Sequence, residues 1–388
     1  LIVLATQEAT FYQEDTASSA AMAVYTSPGR LGDSNMTLST EPRLHAGLLQ
    51  ALKQLKIHEP AYLTSDITAD APLEDIRLVV EENEKSLDGL LRAMDYSSHL
   101  TSRMVASYSI EKVENIVPTT DGRHVRLTIR RPQKTATNPV PAVVHFHSGG
   151  MVILGTDNPM HVTWNEELTR TGLITIAVDF RNAIMPGSYN PFPAGLEDCA
   201  SAVRWVHAHR KELGISKIVL QGESGGGNLA LAVALKALKE GWIDSIDGVC
   251  ATQPYISGAY GMPQDWKLQE LPSLVECDGY LISCVTSTLN VRLYDPTGEH
   301  SKNPLAWPYW ASTKEMVGLP PHLIITNELD PLRDEGNVYY RKLVKAQVRA
   351  VAKMNMGVVH EAELFLRQTL PDMFISHLLE VKGFAEAV

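Results

Sequence analysis

The stretch Lys217-Ile-Val-Leu-Gln-Gly-Glu-Ser-Gly-Gly-Gly-Asn-Leu-Ala-Leu-Ala-Val-Ala-Leu constrains this chain more than any other. An apolar, strand-favouring run at 217–220 turns through Gly222-Glu-Ser-Gly-Gly226 and becomes a helix-favouring run at 229–238. The spacing predicts strand, tight turn and helix, with Ser224 at the apex. A serine projected from such a turn needs glycines on either side, so that strand and helix can pack closely. The helix N-terminus adds free N–H groups and a positive dipole end beside it. A plain glycine-rich strand-to-helix loop is the competing reading, and only the rest of the chain decides between them.

The order of elements around this stretch predicts an α/β fold. Residues 112–117 and 124–130, joined by Thr120-Asp-Gly122, read as a hairpin. Residues 141–147 form an apolar strand run, 160–171 a helix, 173–179 a strand and 195–213 a helix. After the central stretch come strand 246–251, strand 321–326, helix 337–346, strand 349–356 and a C-terminal helix. Alternation of this kind implies a largely parallel sheet. Residues 256–318, rich in Pro, Gly, Trp and Tyr, interrupt it and read as a cap or lid insert. Residues 1–110 read as an N-terminal helical extension or cap, with apolar residues at helical spacing over 43–55, 73–91 and 90–105. The catalytic unit is expected over 111–388.

Composition excludes several classes. The 388 residues are 44% hydrophobic and 20% charged, enough for a large core. A formal net charge of −11 argues against nucleic acid and anionic membrane surfaces as partners. Cys199, Cys250, Cys277 and Cys284 form no CxxC pair and no ligand-spaced cluster with histidine, so no zinc site is expected. No run is long enough to span a bilayer. Leu1-Ile-Val-Leu-Ala5 is short for a secretion signal and has no basic lead. A cytoplasmic protein is the default expectation for this chain, which lacks an initiator Met.

A serine nucleophile needs a base and an acid to orient that base. In folds of this kind they follow in the order Ser, Asp or Glu, His. Downstream of Ser224, Asp330 follows one strand and His360 another, both at carboxyl ends, where α/β sheets place catalytic groups. The expected roles are Ser224 as nucleophile, His360 as base then acid, and Asp330 as the group that orients the imidazole. Asp330 has a second reading as a cap for the helix after Pro331. Asp334 and Glu335 are rival acids, and His377 in the C-terminal helix is a rival base of structural character. Upstream, His147-Ser-Gly-Gly-Met151 follows a strand. Gly149 and Gly150, with Gly225 from the turn, are the candidate oxyanion donors, and His147 is a support for their loop. Met151, Tyr189, Tyr255 and Trp310 are candidates for the pocket wall, on apolar or aromatic character alone.

Together, His147-Ser-Gly-Gly150, Val178-Asp-Phe-Arg-Asn-Ala183, Pro191-Phe-Pro-Ala-Gly-Leu-Glu-Asp-Cys199, Gly222-Glu-Ser-Gly-Gly-Gly-Asn228, Asp330-Pro-Leu-Arg-Asp-Glu-Gly336 and Gly357-Val-Val-His360 resemble the hormone-sensitive-lipase-like family of α/β-hydrolases. The resemblance covers roughly residues 110–388. Residues Met151 to Asn158, Gln253-Pro-Tyr-Ile-Ser-Gly258, Leu271-Pro-Ser-Leu-Val275 and Tyr294-Asp-Pro-Thr-Gly-Glu-His300 look like one esterase of that family. The resemblance implies an eight-stranded, mostly parallel sheet with a helical cap. It also implies cofactor-free hydrolysis of small-molecule carboxylic esters or lactones, and it allows a homodimer. The chain departs from the family at Ser148, where a first glycine is usual. An acyltransferase or amidase would use the same three residues. A non-catalytic receptor on this fold typically loses one of them.

Overall fold

The computed structural model describes residues 26–57, 67–97, 100, 108–133 and 138–388. Ten strands are present among them: β1 (Ile110–Pro118), β2 (His124–Pro132), β3 (Val140–Phe146), β4 (Ile174–Asp179), the short pair β5 (Ile184–Met185) and β6 (Ser188–Tyr189), β7 (Ile215–Glu223), β8 (Gly248–Thr252), β9 (His322–Asn327) and β10 (Ala350–Asn355). Eight of them form one sheet in the order β1-β2-β4-β3-β7-β8-β9-β10. The β1–β2 hairpin and the β2–β4 pair are antiparallel; every pairing from β4 to β10 is parallel. This is the expected mostly parallel α/β sheet.

The period of two along each inner strand sorts the core onto two faces. Ala142, Val144, Phe146, Ile218, Leu220, Val249, Ala251 and Ile324 enter one apolar cluster. The residues between them, Val143, Val219, Cys250, Leu323 and Ile325, enter the other. The helices in chain order are α1 (Ala46–Gln54), α2 (Leu73–Arg92), α3 (Pro159–Arg170), α4 (Ala194–Ala208), α5 (Gly225–Glu240), α6 (Gln264–Glu270), α7 (Ser273–Glu276), α8 (Cys284–Tyr294), α9 (Thr313–Met316), α10 (Arg333–Lys345), α11 (Ala362–Phe365) and α12 (Pro371–Ala387). Helices α4, α5 and α10 cover the first face, and α1, α3 and α12 cover the second. The outer strand β1 keeps Glu111, Lys112 and Glu114 exposed, which blunts its free edge.

The 256–318 insert folds into α6 to α9, and α8 packs against α2. The expected 90–105 helix does not form as read. Helix α2 ends at Arg92, Ala93 donates back to the carbonyls of Gly89 and Leu90, and the Asp95 side chain accepts the Ser97 N–H to make a turn. Residues 98–99 and 101–107 lie outside the described residues. Helix α4 stops at Ala208 rather than 213, because the chain turns there and Gly214 takes a left-handed φ of 65°. Helix α10 starts at Arg333, four residues before 337, which places Asp334 and Glu335 in its first turn.

Candidate active site

Ser224 sits between the last residue of β7 and the first of α5, with φ 52° and ψ −117°. A residue with a Cβ adopts that geometry only where its surroundings enforce it. Here its N–H donates to the Thr252 carbonyl at 2.9 Å, and its own carbonyl accepts from Tyr255 and Asn228, both at 3.0 Å. The glycines beside it are required by contact. A Cβ on Gly226 would lie 1.9 Å from the Phe146 carbonyl oxygen, and one on Gly222 would lie 2.3 Å from the Gly226 carbonyl carbon. The strand end below is fixed by polar groups. Asn165 donates to His145 Nδ1 at 2.9 Å, so His145 Nε2–H donates to Glu223 Oε2, also at 2.9 Å. Burial alone would push the Glu223 carboxyl up, but His145 and Gln221 hold it down at about 2.

His360 follows β10 and Asp330 follows β9. His360 Nδ1 donates to Asp330 Oδ2 at 2.7 Å, and Asp330 Oδ1 accepts the Leu332 N–H at 2.9 Å. Both side chains are buried. Burial works against the imidazolium, yet Asp330, Glu361 and Glu363 outweigh it and raise His360 to about 9. The rival acids are engaged elsewhere. Asp334 accepts the Ser273 N–H, and Glu335 accepts the N–H groups of Ile256 and Ser257 and the Tyr260 hydroxyl, tying the insert to α10. His377 faces Thr252, Glu363 and Trp164 inside the core.

A buried amide and carboxylate layer, not singled out in the sequence, positions the histidine loop. Asn327 Nδ2 donates to the Val359 carbonyl at 2.8 Å and to Glu363 Oε2 at 3.0 Å. Gln253 Nε2 donates to Asn327 Oδ1 and Glu363 Oε1, both at 2.9 Å. The signal available was polar side chains at strand ends in otherwise apolar surroundings.

The loop after β3 bends at Gly149 (φ 111°) and Gly150 (φ 64°). A Cβ on Gly225 would lie 2.7 Å from the Gly150 nitrogen and 2.6 Å from the Met151 nitrogen, so loop and turn touch through backbone. Among the described residues, neither the Gly149 nor the Gly150 N–H has an acceptor. The Gly225 N–H lies in the first turn of α5, where helical acceptors are missing. The loop thus lies against the residue that directly follows Ser224. His147 Nδ1–H donates to the Ser148 carbonyl at 2.7 Å, and its ring stacks on Phe180 at 4.2 Å. Burial, with His161 nearby, pushes His147 down to about 3, so it is neutral. The Ser148 hydroxyl lies 3.0 Å from His161 Nε2, and His161 Nδ1–H donates to the Gly155 carbonyl at 2.9 Å.

Ser224, His360, Gly149 and Gly150 open onto one cavity of about 320 Å³. Of the four pocket candidates, Tyr255 lines it. Met151, Tyr189 and Trp310 do not: Met151 is buried in the core, Tyr189 reaches the Leu293 carbonyl, and Trp310 reaches the Ser257 carbonyl. Aliphatic side chains make up much of the wall instead, from Val80, Leu87 and Leu91 of α2, Leu289 of α8, and Ile282, with Asn83 and Asn290 among the polar residues beside them. Glu361, next to the histidine, is also in the wall. Among the described residues there is no group of three or more metal-ligating side chains, and no helix is long and apolar enough to cross a membrane. All four cysteines are buried and free.

The α/β-hydrolase fold family matches residues 143–364. Esterase LipI of Mycobacterium tuberculosis (strain ATCC 25618 / H37Rv) is 30% identical over 224 residues, which is 57% of this chain and 65% of LipI. The chain thus spans just under two thirds of the length of such curated relatives. Among solved structures, brefeldin A esterase, a bacterial homologue of human hormone-sensitive lipase, superposes with a TM-score of 0.89 and 41% identity, covering 93% of this chain and 98% of that one. Esterase Est22 superposes with a TM-score of 0.77 and 30% identity, covering 90% and 100%.

Proposed function

Because the chain belongs to the α/β-hydrolase family, in its hormone-sensitive-lipase-like branch, we propose that it hydrolyses carboxylic esters or lactones through Ser224, His360 and Asp330. Ser224 Oγ attacks the acyl carbon while His360 Nε2 takes its proton. Asp330 holds the imidazole by Nδ1–H and stabilises the cation that forms. The negative charge that develops on the carbonyl oxygen meets the N–H groups of Gly149, Gly150 and Gly225. His360 Nε2–H then protonates the departing alkoxide, leaving an acyl group on Ser224. Water repeats the sequence: His360 takes its proton, the hydroxide adds to the acyl carbon, and Ser224 leaves with a proton from His360. No step needs a cofactor.

The observation that carries this reading is the 2.7 Å bond between His360 and Asp330 in the wall of a cavity that also exposes Ser224 and two free N–H donors. The apolar wall favours a small, largely hydrocarbon ester, and α2 and α8 act as a cap over it. A panel of short-chain aryl esters, lactones and amides tests the proposal. Esters are expected to turn over, and Ser224→Ala is expected to fall to background on every substrate. Full activity in Ser224→Ala would overturn the assignment.

A further inference from the structure

Glu361 stands immediately after the candidate base, and nothing in the mechanism above uses it. Its φ is 51°, a left-handed conformation that a side chain disfavours. Among the described residues its carboxyl is the only one in the cavity wall, and the residue is 8% exposed. Oε1 lies 3.8 Å from His360 Nε2, beyond hydrogen-bond distance, and has no donor among the described residues. A buried carboxyl without a donor is costly and wants a partner; Oε1 itself is covered, so a group entering the cavity meets this carboxyl through its other oxygen, which has no donor within hydrogen-bond distance among the described residues.

The neighbouring hydroxyl does not supply that partner. His161 spends its Nδ1–H on the Gly155 carbonyl, so its Nε2 carries no proton and accepts from Ser148 Oγ. Burial pushes His161 down to about 4, which keeps it neutral. The Ser148 proton therefore goes chiefly to His161, and its hold on Glu361 is the weaker of the two. Asn83, Thr286, Ser287 and Asn290 also line the cavity, but none of them lies within hydrogen-bond distance of Glu361, which leaves the substrate to supply a donor to its carboxyl. The groups that bear on Glu361 electrostatically are His360 on its own loop, Glu363 of α11 and Glu223 at the end of β7, with the Ser148 hydroxyl nearby. Burial, with the two carboxylates, outweighs His360 and Ser148 and pushes Glu361 up to about 7. An ionised carboxylate this close to the reacting centre also opposes negative charge on the substrate carbonyl oxygen. A donor on the substrate relieves that opposition, and a plain hydrocarbon ester does not.

Resting on the esterase reading, we propose that Glu361 is a specificity-determining residue that accepts a hydrogen bond from a hydroxyl group carried by the substrate close to its ester linkage. The preferred substrate class is then a hydroxylated ester or lactone with an otherwise apolar skeleton. A hydroxyl can donate to the carboxyl in either protonation state, whereas burying an ammonium in this wall would cost far more.

The test compares kcat/KM for phenyl butanoate with the phenyl 2-hydroxybutanoate and 3-hydroxybutanoate esters, and ethyl butanoate with 2-hydroxyethyl butanoate. The wild-type chain, Glu361→Gln and Glu361→Gly are compared; glycine suits the left-handed backbone and glutamine keeps the shape. The wild-type chain is expected to prefer at least one hydroxylated member by about tenfold or more, the range for a hydrogen bond to a charged group. That ratio should fall toward one in Glu361→Gly, with part of it kept in Glu361→Gln, whose amide oxygen still accepts. The acidic limb of the pH profile should move to lower pH in Glu361→Gln, because a charge that favours protonated His360 is gone. An equal ratio in all three proteins, or no hydroxyl preference in the wild-type chain, would overturn the inference while leaving ester hydrolysis intact. No turnover of any ester by the wild-type chain would instead sink the esterase reading beneath it.

Discussion

The floor of the cavity and its roof are held by different forces. On the floor, Ser224, Asp330 and His360 sit at the ends of β7, β9 and β10, each fixed by hydrogen bonds from buried polar groups. In the roof, Val80 of α2 and Leu289 of α8 share one apolar cluster; the polar ties of these helices, Glu84 to the Leu154 N–H, Asp88 to Asn158 and the Ser287 carbonyl to the Tyr255 hydroxyl, run to neighbouring segments, and among the described residues none joins α2 to α8. Hydrogen bonds are directional and fix atoms to tenths of an ångström; apolar packing excludes water but tolerates changes of shape. The floor is thus suited to chemistry, which needs fixed positions, and the roof to choosing what is admitted. Changes to the floor should act on kcat, and changes to the roof on KM.

Removing the nucleophile should break the floor most severely. Ser224→Ala is expected to lower kcat on an aryl ester by about 10⁶-fold, with an unchanged circular dichroism spectrum. Asp330→Asn should come next, at about 10⁴-fold, because an amide no longer fixes the imidazole tautomer that offers Nε2 to Ser224. Steady-state kinetics on the same ester check it, and a loss confined to KM would contradict the orienting role. Gly225→Ala should cost about 10²- to 10³-fold in kcat, since its Cβ would push against the Gly150 and Met151 nitrogens and displace the donor loop. The roof provides the contrast. Leu289→Ala should raise KM for a butanoate ester by about tenfold and leave kcat within a few-fold, the size of one apolar side chain lost from the wall. A kcat collapse there would erase the distinction between the two regions.

The smallest expected effect is in pH dependence. His360 must be neutral to accept the Ser224 proton, and its surroundings raise it to about 9. The kcat/KM of the free protein should therefore still be climbing between pH 7 and 9, and fall as pH drops. A profile already flat from pH 6 upward would show that the carboxylates around His360 bear less on it than their positions imply.

The turn at Ser224 was legible in the sequence because it is set locally, and Asp330 and His360 because each follows a strand in the order this chemistry requires. Gly222, Gly225 and Gly226 stand where a Cβ would run into neighbouring backbone. The parallel sheet was legible for the same reason: each inner strand is a short apolar run whose alternate residues feed two cores. The roof was not legible. Aromatic character near a motif pointed to Met151, Tyr189 and Trp310, yet the wall comes from aliphatic residues of α2 and α8, more than 190 positions apart in sequence. Which faces of two distant helices meet is set by long-range packing that no local pattern encodes. Glu361 escaped for another reason. Its position after His360 was plain, but the left-handed backbone that turns its carboxyl into the cavity was not. Ser148 stood out as a departure; its partner His161, thirteen residues on, emerged only from the fold.

The central claim is that Ser224 is a nucleophile activated by His360. Treating the folded protein with a fluorophosphonate probe, followed by peptide mass spectrometry, tests it most directly. The account predicts one adduct, on Ser224, formed rapidly in the wild-type chain, far more slowly in His360→Ala, and absent in Ser224→Ala. No adduct on the folded wild-type protein, or an adduct on another residue that persists in Ser224→Ala, would contradict it.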